Sequence, residues 1–324
     1  MLLASRAAAM LLLFFVGAAS YAQDGGYPAK PVRLIIPYVP GGIVDVFARA
    51  VGTHLQGRLG QPFVTDNRPG ASQTIGLELA AKSPADGYTL VTGTQAGLVF
   101  ATCARASLPY DPGRDFAHIT TMFTTPFYLV VHPSLPVNSV KELIAYAKSH
   151  PGKLSYGSIG VGSGHHLAME LFALRTGVQV VHVPYKGSPQ SMIDLVSDRI
   201  QVEFEGPVAT LPNIRSGKIR ALASSGTERT RAMPELPTVS EAGVPGFEIA
   251  PWFGLSAPAG VPRAIVERLN REVGDMLRLP SEREKFAASN IEFMPSTPEE
   301  MTERVRSEIP AWTKVMRAAG IQPE

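Results

Sequence analysis

From Val32 onward, short apolar runs alternate with segments whose apolar residues recur at helical spacing. A chain built this way closes its core by laying strands in parallel and packing the connecting helices on the faces of the sheet. Val32–Ile36 reads as a buried strand ending at Pro37, and Val44–Gln56 as a helix carrying Phe47, Val51 and Leu55 on one face. Phe63–Asp66 is a second strand, the segment around Ile75, Leu79 and Ala80 a helix stopped by Ser83-Pro84, and Tyr88–Thr92 a third strand.

A second series begins with a strand at Tyr128–His132. A helix follows, opened by the capping pattern Ser139-Val140-Lys141-Glu142 and stopped at Pro151-Gly152. Leu154–Ser158 and Val180–Val183 read as strands, with helices at His165–Arg175 and Gln190–Ser197. Gln201–Glu205 alternates polar and apolar residues, which predicts a half-buried strand; Ile219–Ser224 is another. Phe247–Leu255 is expected to be a strand, followed by a helix from Pro262 to Leu277 and a final helix from Thr297-Pro298-Glu299-Glu300 to about Ala319. The chain reads as two α/β lobes, the C-terminal helices packing back on the first.

The N-terminus has a different character. A single charge at Arg6, an apolar stretch over Ala7–Ala19 and small residues at Ser20 and Ala22 form a secretory signal pattern with cleavage after Ala22. The apolar stretch is short for a bilayer span. A mature chain of roughly 300 residues suits two domains better than one core. The single cysteine, Cys103, excludes an internal disulfide. A net charge of +2 without a basic run gives no reason to expect a nucleic-acid partner. The 28 Pro and 30 Gly are spread along the chain, so they punctuate elements and do not form a disordered tract.

In open α/β sheets, ligands bind beyond the carboxyl ends of the strands. Two strand-to-helix loops there favour close approach: Pro37–Gly42, with Gly41 and Gly42, and Gly157–Gly164, with Gly162, Ser163 and Gly164. Each aims helix N-terminal N–H groups at a potential anion. Asp45 reads as a partner for its own helix N-terminus. Lys186 is either a carboxylate partner or a solvated turn lysine, and Glu205 ends a strand where a ligand could sit, although it reads first as a solvated or capping carboxylate. Ser163 lacks the flanking glycines of a nucleophile elbow, having Val161 and His165 instead. His165 also stands where a dinucleotide fingerprint needs Gly. His165 and His166 are adjacent and point to different helix faces, so they cannot jointly ligate one metal. His182, in an apolar strand, reads as structural. No cofactor is implied.

Several segments together resemble one family. Tyr27-Pro28-Ala29-Lys30-Pro31, Pro40-Gly41-Gly42 with Asp45, Asn67-Arg68-Pro69-Gly70-Ala71, Pro84-Ala85-Asp86-Gly87-Tyr88, His182-Val183-Pro184-Tyr185-Lys186-Gly187, Leu236-Pro237-Thr238-Val239 and Trp252-Phe253-Gly254-Leu255 are similar to the substrate-binding proteins of tripartite tricarboxylate transporters, the Bug family. The resemblance implies a monomeric periplasmic protein of two-lobed, flytrap fold, type II-like, with a ligand cleft between the lobes. It implies a small organic acid as ligand and membrane transporter subunits as partners. It also implies a discontinuous first lobe, 23–124 plus 225–324, around a second at 125–224. The implied ligand set is Gly41, Gly42, Ile43, Asp45, Thr94, Gln95, Gly162, Ser163, Gly164, His165, Tyr185, Lys186 and Glu205.

Three departures fall within that set. Ile43 and Val44 make the first turn bulkier and more apolar than the family pattern, which favours a ligand with an apolar portion. Gly164-His165 replaces hydroxyl residues, and Glu205-Gly206 replaces an Asp-Asn pair. A sensor subunit, or an exported hydrolase using Ser163 with His165 or His166, stands as the alternative. Mass spectrometry of the exported fraction is expected to find a chain starting within a few residues of Gln23. An intact chain from Met1, retained in the cytoplasm, would refute the signal reading.

Overall fold

The computed structural model describes residues 26–287 and 291–322; the expected signal segment, 1–22, lies outside them. The first series gives β1 (Val32–Ile36), α1 (Ile43–Leu59), β2 (Phe63–Asn67), α2 (Thr74–Ala81) and β3 (Thr89–Thr94). A π-helical turn (Ala96–Phe100) then leads into α3 (Ala101–Ala104) and β4 (Phe116–Thr124). The second series is β5 (Tyr128–Val131), α4 (Val140–Ser149), β6 (Leu154–Ser158), α5 (Gly164–Thr176), β7 (Val180–Pro184), α6 (Ser188–Val196), β8 (Val202–Glu205), α7 (Pro207–Arg215) and β9 (Arg220–Ser224). The chain finishes with β10 (Trp252–Pro258), α8 (Arg263–Arg278), α9 (Pro280–Lys285), β11 (Glu292–Phe293) and α10 (Pro298–Ala318).

Two sheets result, ordered β11-β4-β10-β3-β1-β2 and β7-β6-β8-β5-β9. As the alternation requires, β1 runs parallel to β2 and β3, and β6 parallel to β7 and β8. The strands next to the crossings, β4, β10, β5 and β9, pair antiparallel. Val32, Leu34 and Ile36 face Phe47, Val51 and Leu55 of α1 and Val273 and Met276 of α8 in one core. Ile35, Leu77 and Val91, from the other face of the first sheet, belong to a core that continues into Tyr156, Leu167 and Phe204 of the second.

β4 shows no apolar run in the sequence because His118, Thr120 and Thr121 interrupt it, yet all three are buried. Their polar atoms find distant partners: His118 Nδ1 lies 3.0 Å from Ser256 Oγ, and the Thr120 hydroxyl donates to the Ser296 carbonyl. The π-turn with α3, and α7 with its internal Pro212, also lie outside the periodic segments. β8 is fully buried, not half-buried, because Phe204 packs on Phe172 of α5 while Glu203 bonds Ser191 of α6.

The expected strand over Phe247–Leu255 begins only at Trp252. Phe247 instead stacks on Phe204 at 5.4 Å, and Arg175 donates to the Pro245 carbonyl. The segment after Ser225 therefore stays against the second sheet until about Pro251. At α4 the Ser139 hydroxyl accepts the Glu142 N–H, but the Glu142 carboxylate turns to the Asn138 N–H, so the box is not reciprocal. At α10 Thr297 and Glu300 do exchange both bonds.

The last helix does more than cover the first sheet. Met301, Val305, Trp312 and Met316 are buried, each worth about 1.5–3 kcal/mol, and α10 touches α5 as well as β4. Glu308 of α10 accepts from Trp252 Nε1 at 3.0 Å and Gln95 Nε2 at 2.9 Å. Burial pushes its carboxyl up against these donors.

Two stability predictions follow from this packing. A Cβ at Gly254 would lie 2.8 Å from the Thr120 carbonyl oxygen and 2.6 Å from Met301 Cε, and backbone cannot yield. Gly254→Ala is expected to cost about 1–3 kcal/mol in denaturant unfolding. Gly57→Ala, in α1 with open space around it, should stabilise by up to about 1 kcal/mol. The second concerns pH. Burial pushes the His118 imidazole from 6.5 down to about 4. The unfolded chain takes up this proton first, so stability present above the ordinary value is lost as pH falls toward the folded one. His118→Asn should flatten the fall in melting temperature between about pH 7 and pH 4.5; an unchanged slope would contradict this assignment.

Candidate functional site

In the first sheet the loop after β1 delivers the chain to α1. Gly41 adopts a left-handed φ of 88°, and Gly42 is the N-cap. A Cβ at either would meet nothing within 4 Å, so a ligand has room to approach the backbone. Asp45 is buried and fully engaged. It accepts from the Gly41 N–H at 3.0 Å, from Arg49 Nε at 3.0 Å and from Asn67 Nδ2 at 2.9 Å. Burial pushes its carboxyl up, but these donors outweigh that cost and bring it down to about 2. The Gly41 N–H is thus spent internally, while Ile43 and Val44, in the first turn, have no intrahelical carbonyl to reach.

Behind this loop a buried polar chain joins the ends of β1 and β3. Gln73 Nε2 donates to the Tyr38 hydroxyl at 2.8 Å, Thr94 Oγ1 donates to Gln73 Oε1 at 2.5 Å, and the Gly97 N–H donates to Thr94 at 3.3 Å. Gln73 holds a left-handed φ of 77°, and non-glycine residues sustain that strain mainly where the surroundings over-determine it. No spacing in the sequence singles out Gln73; its only signal is its place just beyond the Pro69-Gly70-Ala71 turn. Thr94 therefore belongs to this network. Gln95 belongs elsewhere: its amide bonds Glu308, and it lines a 640 Å³ cavity with Thr121, Ser296 and Arg304 on the α10 side.

In the second sheet the loop after β6 leads into α5, with Ser163 as N-cap. The Ser163 hydroxyl accepts the His166 N–H at 3.3 Å and donates to the Gly160 carbonyl at 2.7 Å. The Gly162 N–H donates to His166 Nδ1 at 3.0 Å, and the Ser163 N–H reaches the Gly160 carbonyl. The donors expected from Gly162 and Ser163 are therefore used within the turn. A Cβ on Gly164 would lie 3.2 Å from Phe127 and 3.7 Å from Phe100, and one on Gly162 3.9 Å from Ala104. The start of α5 thus abuts the π-turn and α3 of the first sheet.

His165 and His166 diverge as adjacent helical residues must. His165 Nε2 lies 3.2 Å from Glu205 Oε1, and its ring packs on Phe127 at 4.6 Å. His166 stacks flat on His182 at 4.0 Å, and burial together with that neighbour pushes its imidazole down to about 4. His182 Nε2 bonds the buried Ser158 hydroxyl at 2.6 Å. Among the described residues no hydrogen bond joins the Ser163 hydroxyl to either neighbouring ring, so the serine–histidine arrangement of a hydrolase is not assembled there. No cluster of three His, Cys, Asp or Glu suited to a metal occurs among the described residues.

Tyr185 donates to Asp194 at 2.8 Å within its own lobe, and Lys186 is exposed without an ion pair among the described residues. Glu205 is buried where β8 ends and accepts the Gly206 N–H at 2.5 Å.

Comparison with known proteins places this arrangement. Residues 47–321 match the family described as the tripartite tricarboxylate transporter family receptor. BugT of Bordetella pertussis is 38% identical over 305 residues, 94% of each chain. Among solved structures, R. palustris Rpa4515 with adipate is 39% identical at a TM-score of 0.76, covering 92% of this chain and 100% of that one. MatC from Rhodopseudomonas palustris, with bound malate, is 29% identical at a TM-score of 0.70, covering 89% and 99%. The periplasmic binding protein BugD is 29% identical at 0.72, covering 92% and 100%. Among the described residues no helix is long and apolar enough to cross a membrane. This chain belongs to the tripartite tricarboxylate transporter receptor family and has the two-lobed α/β fold of its periplasmic binding proteins.

Proposed function

We propose that this protein, exported after loss of residues 1–22, captures a small carboxylate-bearing solute between its lobes as a monomer. It then delivers the solute, chemically unchanged, to the membrane subunits of a tripartite transporter. The observation that carries this reading is the start of α1. Two open glycines there precede first-turn N–H groups that lack a carbonyl partner, at the carboxyl end of a parallel strand. The adipate and malate held by two structural relatives support a carboxylate ligand.

The lobes we propose are 23–124 with the chain beyond about 251, and 125 to about 250. This moves the return crossing later than Ser225, in keeping with the packing of Phe247 on Phe204. The N–H groups of Ile43 and Val44 hold the carboxylate, with Gly41 and Gly42 keeping the approach open. Gly164 and His165 face the rest of the ligand from the second lobe. Ile43 and Val44 line the apolar portion of the ligand. A ligand that touches both lobes favours the closed form because only that form supplies both sets of contacts.

A thermal-shift screen over carboxylates tests the reading, since a ligand at a hundredfold excess over its Kd stabilises the native state by about 2.7 kcal/mol. Calorimetric titration with the best compound should show one bound molecule and no product. Gly42→Val should weaken binding by the value of at least one charged hydrogen bond, about 1.5–3 kcal/mol. Ser163→Ala should cost about 1 kcal/mol of stability through its lost helix cap and weaken binding only modestly. If Lys186→Ala abolished binding while Gly42→Val left it unchanged, a side-chain charge would hold the carboxylate and the backbone account would fail.

A further inference from the structure

The second lobe handles negative charge differently from the first. α5, α6 and α7 all begin at the carboxyl ends of β6, β7 and β8, and helix N-termini gathered in this way make a site for an anion. That site already contains one. Glu205 is 2% exposed, and its Oε1 accepts from the Gly206 N–H at the start of α7 and from His165 Nε2 in the first turn of α5. Burial pushes its carboxyl up, but the His165 and Gly206 bonds outweigh this and hold it below the ordinary value.

Glu203, two residues earlier on the same strand face, is the opposite case. It is completely buried, bonded to the Ser191 hydroxyl at 2.6 Å and pushed well above the carboxylate range by burial and by the neighbouring Glu205 charge. Glu203 therefore keeps its proton and Glu205 keeps its charge. Three polar atoms here are buried without a partner: Glu203 Oε2, Glu205 Oε2 and His165 Nδ1, the last in a residue only 9% exposed. A carboxylate oxygen can only accept while the carboxyl is ionised, so Glu205 Oε2 is an acceptor awaiting a donor. Gly164, between Phe127 of the crossing segment and Phe100 of the first lobe, places this end of α5 where the two lobes meet.

We propose that Glu205 fills the anion position of the second lobe from within, so that the ligand carries one carboxylate, at its first-lobe end, and presents a hydrogen-bond donor, an amide or ammonium group, to Glu205. A second ligand carboxylate would meet a buried negative charge already holding the available donors. This inference rests on the carboxylate-capture reading above and narrows its ligand class from organic acids in general to ω-amides and ω-amino acids.

Length-matched probes test it: adipate, adipamate and 6-aminohexanoate, with succinate, succinamate and 4-aminobutanoate as a shorter set, titrated into the wild type and Glu205→Gln. In the wild type the monoamide or amino acid is expected to bind at least tenfold tighter than the dicarboxylate of the same length. Glu205→Gln should bring the two within threefold or reverse their order. A wild type that binds the dicarboxylate as tightly as its partners overturns the proposal, and does so even if the variant fails to fold. Unchanged selectivity in a folded Glu205→Gln overturns it equally. If no carboxylate in either set binds, the capture reading itself falls and takes this inference with it, an outcome distinct from dicarboxylate binding.

Discussion

The unpaired N–H groups at helix N-termini are the constraint around which this molecule is arranged. Parallel strands followed by helices place those termini along one edge of each sheet, and each positive end requires a negative partner or water. In the first lobe the partner is Asp45. It lies within α1, takes the Gly41 N–H, is paired with the Arg49 guanidinium and accepts from Asn67 Nδ2. The turn is thereby fixed while the N–H groups of Ile43 and Val44 stay free. In the second lobe the partner is Glu205, which arrives from a neighbouring strand and takes donors from two helix starts at once. One edge therefore keeps donors to offer and the other has already used several. Two glycine-rich loops that look alike in the sequence thus differ in electrostatic function.

The interface between the lobes is not only a cleft. α10 lies against both sheets, and Trp312 meets Phe100 at 5.1 Å edge to face. The apolar cluster that contains both residues runs from Ile35 in the first lobe to Phe204 in the second without a break. The buried Glu308 binds this helix to Trp252 and Gln95, so that its removal would leave two buried donors unsatisfied. A hinge motion of the lobes must either pivot on this seam or break it. The glycine-rich loops after β1 and β6 belong to different sheets, whereas the seam is held by large aromatic side chains.

The histidines show how burial redirects chemistry. His166 and His182 stack face to face at 4.0 Å and are held neutral by desolvation, and His118 is neutral for the same reason in the middle of β4. The Ser158–His182 contact has the short distance of a nucleophile pair, but Ser158 is wholly buried, and Ser163, the half-buried candidate, spends its hydroxyl on capping α5. Short contacts between serine and histidine therefore serve the fold.

The sequence by itself determined the parallel strands, the helices that begin at Ser139 and Thr297, the glycine turns ahead of α1 and α5, and the family. Each of these rests on local rules: apolar period, capping chemistry and the conformational freedom of Gly41. Only the tertiary structure decided what happens to polar residues inside the core. β4 was hidden because His118 and Thr120 look like surface residues until Ser256 and Ser296 arrive from more than 100 positions away to bond them. Gln73 gains its meaning from Tyr38 and Thr94 in the same way. The stay of Phe247 against the second sheet depended on the ring of Phe204. Glu203 and Glu205 are two identical side chains on one strand, and their opposite charge states follow from which neighbours reach them: a hydroxyl for one, an imidazole and a helix N–H for the other. Burial sets the cost of a charge, and the partner that offsets it comes from distant chain, which no local pattern can encode.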